Sequence, residues 1–274
     1  MPEKTPRISL VIPAYNEARY LRACLDAAFA QELPFFEVIV VDNGSTDATA
    51  QLAAQYGGVR LLHEPKRGIV YARNRGFDAA RGDTIARIDA DTVLPPDWSA
   101  HIAAFYSDRS HAATAWTSSG IFTDAPASRL VSAGYRLVTV YINMWLTGYP
   151  ALWGSSMALP AGMWQRVKRT TCMGNGFHED LDLATHIHLS GYRIHWDKKV
   201  QVEAQLRHAW VSRRELWEYL QWWPRTLRRH GQKTWVLCWL GGALAMFGAT
   251  LVLQLIRRSP KPLESAQLPS ALET

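Results

Sequence analysis

Short apolar runs and helix-spaced apolar positions take turns along the first ninety residues. Ile8–Pro13 reads Ile-Ser-Leu-Val-Ile-Pro, which predicts a buried strand stopped by its proline. From about Glu17 to Gln31, Leu21, Leu25 and Ala28 fall at helical spacing, so a helix packed on a sheet is expected. Phe36–Val41, apolar except for Glu37, predicts the second strand. It runs into Asp42-Asn43-Gly44-Ser45-Thr46-Asp47, where Ser45 or Thr46 can cap the next helix. Gly57-Gly58 closes that helix and Val59–Leu62 predicts a third strand. Arg67-Gly68 then opens a loop before a helix containing Ala72, Arg73, Asn74 and Gly76. Thr84–Asp89 predicts a fourth strand, ending in Asp89-Ala90-Asp91. This alternation predicts an α/β class, with a Rossmann-like, mainly parallel sheet flanked by helices and its polar ligand-binding loops at one edge.

The second half carries longer elements. Pro95-Pro96-Asp97 starts a helix with Trp98, Ile102 and Phe105 on its apolar side. Leu130–Leu152, interrupted by Arg136, Asn143 and Gly148, is too polar for a span and predicts a helix and loop that cover the ligand side of the sheet or touch lipid. Trp153–Leu159 predicts a further strand, Glu179 opens a helix that runs to Gly191, and Val200–Leu206 predicts the last strand. Ser212-Arg213-Arg214-Glu215 has capping-box spacing, and the helix it opens is rich in Trp and Arg and kinked at Pro224. Thr234–Ile256 contains no Asp, Glu, Lys or Arg and is long enough to span a bilayer. The expected division is a catalytic domain over 1–211, a basic aromatic interfacial helix over 212–233, a transmembrane helix over 234–256 and a disordered tail over 257–274.

Composition narrows the chemistry. A net charge of +6 suits a phosphorylated substrate or an anionic membrane surface. The position of the basic aromatic stretch just before the apolar segment favours membrane over nucleic acid. Cys24, Cys172 and Cys238 lack metal-ligand spacing and even the elements of a disulfide framework. No signal-peptide core follows Met1, so a cytosolic catalytic domain is expected. His178, His186, His188 and His195 sit in apolar helical or strand settings and read as surface or core histidines.

The candidate chemistry lies at strand ends. Asp89 and Asp91 offer hard oxygen ligands suited to Mg²⁺ or Mn²⁺ beside a phosphate-rich substrate. Asp42 can accept from a base or ribose edge, and Arg67 and Arg73 can meet diphosphate oxygens. A Gly-x-Gly-x-x-Gly signature is missing after the first strand, which argues against a dehydrogenase. Glu179, Asp180 and Asp182 open an apolar helix, where their charge also suits the helix dipole.

Four stretches in this order resemble a family 2 glycosyltransferase of the GT-A fold: Val-Ile-Pro-Ala-Tyr-Asn-Glu at 11–17, Val-Val-Asp-Asn-Gly-Ser-Thr-Asp at 40–47, Arg-Gly-Ile-Val-Tyr-Ala-Arg-Asn-Arg-Gly at 67–76, and Asp-Ala-Asp at 89–91. The resemblance implies a nucleotide-diphosphate sugar donor held by Pro13, Tyr15, Glu17, Asp42, Asn43, Arg67, Arg73, Asn74, Asp89 and Ala90. It implies a divalent metal on Asp89 and Asp91, with His208 completing the sphere. Glu179-Asp180 resembles the family's Glu-Asp motif, which makes Asp180 the base that takes the acceptor's proton in an inverting transfer and Glu179 its neighbour in acceptor binding. Gly154, Ser155, Ser156 and Asp182 are implied on the acceptor side. Gln221–Arg225 departs from the Gln-x-x-Arg-Trp signature of processive synthases, which argues against long-chain polymer synthesis. The expected enzyme sits at the cell membrane with its catalytic domain on the cytoplasmic face and uses a lipid-linked or membrane-proximal acceptor. The alternatives are a nucleotidyltransferase, separated by pyrophosphate rather than nucleoside diphosphate release, and a non-catalytic membrane-tethered nucleotide-sugar-binding protein.

Overall fold

The computed structural model describes residues 5–206 and 213–237, with a few positions between 239 and 251. In chain order the elements are β1 (Ile8–Ala14), α1 (Leu21–Phe29), β2 (Glu37–Asp42), α2 (Thr49–Gln55), β3 (Val59–His63), α3 (Ile69–Ala79), β4 (Thr84–Arg87) and α4 (Trp98–Ser107). There follow β5 (Thr114–Phe122), α5 (Ser128–Arg136), a π-helical stretch Leu137–Ile142, α6 (Asn143–Thr147), β6 (Met157–Pro160), α7 (Ala161–Val167), α8 (Glu179–Leu189), β7 (Arg193–Ala204) and α9 (Arg213–Arg229). The seven strands form one sheet in the order β3-β2-β1-β4-β6-β5-β7. All pairings are parallel except those of β6, which runs antiparallel to both β4 and β5.

Both faces of the sheet are covered, which is why its strands read as unbroken apolar runs. Leu10 and Ile12 of β1 point to one face, packing with Val38, Val40, Leu25, Trp98 and Ile102; Val11 points to the other, with Ile39, Val41, Phe77 and Leu183. Thus α1 and α4 cover one side and α3, α7 and α8 the other. The close seat of α3 depends on Gly76, where an added Cβ would lie 2.3 Å from Val11 Cγ1.

Several expected boundaries shift for physical reasons. Pro13 does not stop β1; it pairs in register with Val41. Successive residues of a parallel strand bond to alternate neighbours, and Val11 accepts from Ile88 on the β4 side. Pro13 therefore faces the side where β4 has already ended, so its missing N–H removes no ladder bond. Neither Ser45 nor Thr46 caps α2. Asp47 accepts from both the backbone and the hydroxyl of Thr49 at the start of that helix, while Ser45 and Thr46 bond to Asn16. Trp153–Ser156 form a turn, and the strand begins only at Met157.

Leu130–Thr147 is helical throughout, with the π-helical stretch in its middle. The basic aromatic helix α9 packs on the catalytic unit: Leu227 and Trp223 meet Leu146 and Leu181, and His178 N donates to Thr226 Oγ1 at 2.9 Å. Among the described residues no helix is long and apolar enough to cross a membrane. Ser212, the tail 257–274 and most of Thr234–Ile256 lie outside the described residues.

Candidate active site at the sheet edge

The chain leaves β1 for β2 and β3 on one side and returns to β4 on the other, so the carboxyl ends of β1 and β4 flank the point where strand order reverses. In open α/β sheets that crevice is where ligands bind. The loop after β4 delivers Asp89 and Asp91 there, and the first turn of α8 brings Glu179 and Asp180 opposite them. These four acids line a cavity of about 900 Å³ whose walls come from β5, α5, the π-helical stretch, the 151–155 turn and α9.

The residue that organises the acids is Arg87, the last of β4. Its side chain is 2% exposed, and it meets Asp180 Oδ1 at 2.6 Å, Asp89 Oδ1 at 2.8 Å and Glu179 Oε1 at 3.1 Å. Sequence reading passed over it. The available signal was an arginine inside an otherwise apolar strand, two positions before an Asp-x-Asp pair, where an unpaired cation would be too costly to bury. The three carboxylates hold the guanidinium protonated well above its usual range despite its burial.

Asp180 has the complementary perturbation. Burial, reinforced by Glu179 and Asp89, pushes its carboxyl up to about 7 against the opposing pull of Arg87. Gly154 N donates to Asp180 Oδ2 at 2.7 Å and Ser155 Oγ donates to Asp89 Oδ2 at 2.7 Å, so the 154–155 turn orients both acids. Gly154 is required by proximity: an added Cβ would fall 2.6 Å from Arg87 Nη2 and 2.8 Å from Asp180 Oδ2. Ser156 turns away from the acids, accepting from Trp98 Nε1 and bonding Ser118 Oγ.

The residues expected around a nucleoside gather at the ends of β1 and β2. Tyr15 is exposed and the Arg67 guanidinium lies 3.1 Å over its ring centroid. Glu17 is buried, with its N–H donated to Thr49 Oγ1. Asp42 accepts from Ser45 N and pairs with His63 Nδ1 at 3.0 Å. Asn43 ties the neighbouring loop together, donating to the carbonyls of Glu64 and Lys66 and accepting from Gly68 N, so its amide serves the loop. Arg73 is fully buried behind α8; its forked donors go to the carbonyl of Glu179 and to Asn74 Oδ1. It is therefore directed at the protein and supports Glu179 from behind. Ala90 packs into the core under β4.

Asp182 stands apart from the cavity. It is completely buried on the other side of α8 and accepts from Cys172 N and His230. His178 lines the cavity among Tyr219, Trp222 and Trp223, and burial lowers its imidazole to about 4, so it is neutral at physiological pH. His208 lies outside the described residues.

The donor set at the strand end fits a hard divalent ion. Asp89 and Asp91 present only carboxylate oxygens toward the cavity, the ligand type of Mg²⁺ and Mn²⁺. Both oxygens of Asp89 already accept protein hydrogen bonds, which leaves them oriented with lone pairs to share.

The arginine-bridged carboxylate cluster thus lies at the switch point of a mainly parallel α/β sheet, and sequence comparison says which family builds it. Residues 9–149 match the profile described as Glycosyl transferase family 2, and the chain belongs to that family. A stretch of 98 residues is 38% identical to the hyaluronan synthase of Pasteurella multocida, covering 34% of this chain and 10% of that protein. Over 105 residues it is 35% identical to glycosyltransferase AglE of Haloferax volcanii, covering 36% of this chain and 34% of AglE. The match thus spans only a minor part of these relatives. The solved mannosyltransferase PcManGT of Pyrobaculum calidifontis, in complex with GDP-Man and Mn²⁺, shares the fold with a TM-score of 0.63 at 22% identity, over 94% of this chain and 78% of that one.

Proposed function

We propose that the chain transfers a sugar from a nucleotide-diphosphate sugar to an acceptor hydroxyl, with inversion at the anomeric carbon. The observation that carries this reading is the cluster of Asp89, Glu179 and Asp180 on one buried arginine beside Asp91, at the edge of a large cavity. Asp180 is the base. A carboxylate raised to about 7 is basic enough to take a proton from a hydroxyl as it attacks, yet ionised in a useful fraction at neutral pH. Its Oδ2, held by a backbone N–H, retains a second lone pair for that proton. Glu179 shares the arginine and orients the acceptor. Arg87 keeps three acids together that would otherwise repel.

Asp89 and Asp91 would hold Mg²⁺ or Mn²⁺ together with the donor's diphosphate. The ion would supply positive charge to the departing nucleoside diphosphate. Tyr15, Asp42 and the stacked Arg67 form the nucleoside side of the donor site. That PcManGT was solved with GDP-Man and Mn²⁺ supports a donor of this class.

The acceptor is lipid-linked or membrane-proximal in this reading, and the enzyme sits on the cytoplasmic face of the cell membrane. Leu130, Leu137, Tyr141, Met144 and Trp145 are exposed along the helix at the cavity's rim, an apolar surface in search of a partner. The uncharged Thr234–Ile256 segment would be the anchor.

Incubating the full chain with Mn²⁺, a panel of nucleotide sugars and polyprenyl-phosphate or glycolipid acceptors tests the reading. Acceptor-dependent release of nucleoside diphosphate with an inverted product supports it. Pyrophosphate release would reassign the chain as a nucleotidyltransferase, and donor binding with no turnover on any acceptor would make it a binding protein.

A further inference from the structure

Away from the cavity, on the opposite side of α8, four side chains converge that no step above uses. Cys172 comes from the loop before α8, Asp182 and His186 from one face of α8, and His230 from the turn that follows α9. Their ligand atoms all lie within 4.8 Å of one another. We propose that Cys172, Asp182, His186 and His230 form a structural Zn²⁺ site that locks α9 onto the catalytic unit.

The chemistry and the geometry agree. One sulfur, two imidazole nitrogens and one carboxylate oxygen form the mixed soft and borderline donor set of tetrahedral zinc, unlike the all-oxygen pair at Asp89 and Asp91. Asp182 and His186 are four residues apart on a helix and so share a face. His230 Nε2 is 2.9 Å and His186 Nε2 3.6 Å from Asp182 Oδ1, and Cys172 Sγ is 4.0 Å from His186 Nε2. With Zn–ligand bonds of about 2.0–2.3 Å, the edges of a tetrahedral site are roughly 3.3–3.6 Å, so the group needs only small side-chain adjustment. Of these contacts only the one from His230 has full hydrogen-bond length; the other two are long, and a central cation would draw all four ligand atoms together.

The surroundings suit a closed site. Asp182 is fully buried, and the side chains of His230 and His186 are 7% and 14% exposed. Cys172 N donates to Asp182 Oδ2 at 3.0 Å, the outer hydrogen bond that orients a ligating carboxylate. Burial and the neighbouring Asp182 raise the Cys172 thiol above its ordinary value, against the opposing pull of Arg229, so a bound cation would have to displace its proton. Binding would send the thiol proton to solvent, and His230 would ligate through Nε2 with its ring proton carried on Nδ1. Four protein ligands leave no open position, so the ion would be structural. It would fasten the end of α9, whose Leu216, Tyr219, Leu220, Trp222 and Trp223 form one wall of the cavity.

The test uses the untagged full chain in detergent, with chelator-stripped protein titrated with Zn²⁺ and with Co²⁺. About one zinc per chain should be retained through dialysis, and Co²⁺ should give intense tetrahedral visible bands together with a thiolate-to-cobalt charge-transfer band. Cys172→Ser should abolish the charge-transfer band, and His230→Ala should weaken Zn²⁺ binding by more than about tenfold. Asp91→Ala, at the other proposed metal site, should leave zinc content unchanged. Wild-type protein that takes up neither ion at one per chain overturns the proposal whether or not the variants fold. So does a charge-transfer band that survives in Cys172→Ser, or zinc lost in Asp91→Ala and kept in His230→Ala.

Discussion

Replacing Arg87 by Met removes the guanidinium that bonds Asp89, Glu179 and Asp180 while keeping much of its volume. Removing one partner from a buried ion pair costs about 3–5 kcal/mol because the remaining charge is left uncompensated. Asp89 and Asp180 are 29% and 20% exposed, so water relieves part of this and the lower end applies, about 3 kcal/mol near pH 8. For a chain of this size that corresponds to roughly 6–12 °C in Tm. The pH dependence carries the sharper signature. Without the arginine the Asp180 carboxyl, already raised by burial, loses the opposing pull of Arg87 and rises further above its unfolded value, so the folded state binds more protons than the unfolded state in the window between them. A raised carboxyl contributes stability that is present at low pH and lost as pH climbs through its folded value. The deficit of the variant should therefore be largest near pH 8 and shrink toward pH 5, by about 1.4 kcal/mol for each unit by which the Asp180 carboxyl rises. Urea unfolding of both proteins at the two pH values measures it. A deficit below about 1 kcal/mol at pH 8, or one equal at both pH values, would refute the view that Arg87 compensates a buried carboxylate cluster.

Asp180→Asn should lower kcat by about 10²–10⁴-fold with donor affinity nearly unchanged, because the amide cannot take the acceptor's proton; parallel loss of donor binding in calorimetry would make Asp180 a binding residue. In the wild type, kcat/KM should rise with pH through about 7 as Asp180 ionises, and this rise should vanish in the variant. Asp91→Ala should remove divalent-ion-dependent donor binding while the far-ultraviolet circular dichroism stays the same, and unchanged Mn²⁺ dependence of turnover would count against the metal assignment. Leu137→Asp with Trp145→Asp, both exposed, should reduce flotation with anionic vesicles without lowering Tm; undiminished flotation would move the membrane contact elsewhere.

The strands of the sheet were legible because burial on both faces turns them into continuous apolar runs, and the acids at their ends stood out by contrast. Pro13 misled because the rule that proline ends a strand ignores which neighbour its missing N–H would have faced. The turn at Gly154 and Ser155 looked like strand because its composition is apolar and small, whereas its backbone is shaped by the need of Asp89 and Asp180 for donors. Arg87 was hidden for a related reason. Periodicity weighs each position by its own polarity, and a buried cation makes sense only together with partners up to 93 positions away. The cluster around Asp182 was equally invisible, since Cys172, Asp182, His186 and His230 match no short ligand motif and meet only when α9 folds back on α8.

The first turn of α8 explains how neighbouring acids come to such different uses. Side chains two positions apart on a helix point in nearly opposite directions, and those four apart point the same way. Once Asp180 faces the cavity to reach Arg87, Asp182 must face the interior behind the helix, where His186 joins it one turn later. Asp182 could bind an acceptor only if α8 rotated by about half a turn, which would pull Asp180 from Arg87 and Gly154 at once. The acidic start of α8 is thus divided by helical geometry between a face for chemistry and a face for anchoring. Any ligand that fixes the second face also sets the rotation of the first, and with it the position of the Asp180 carboxylate against Arg87.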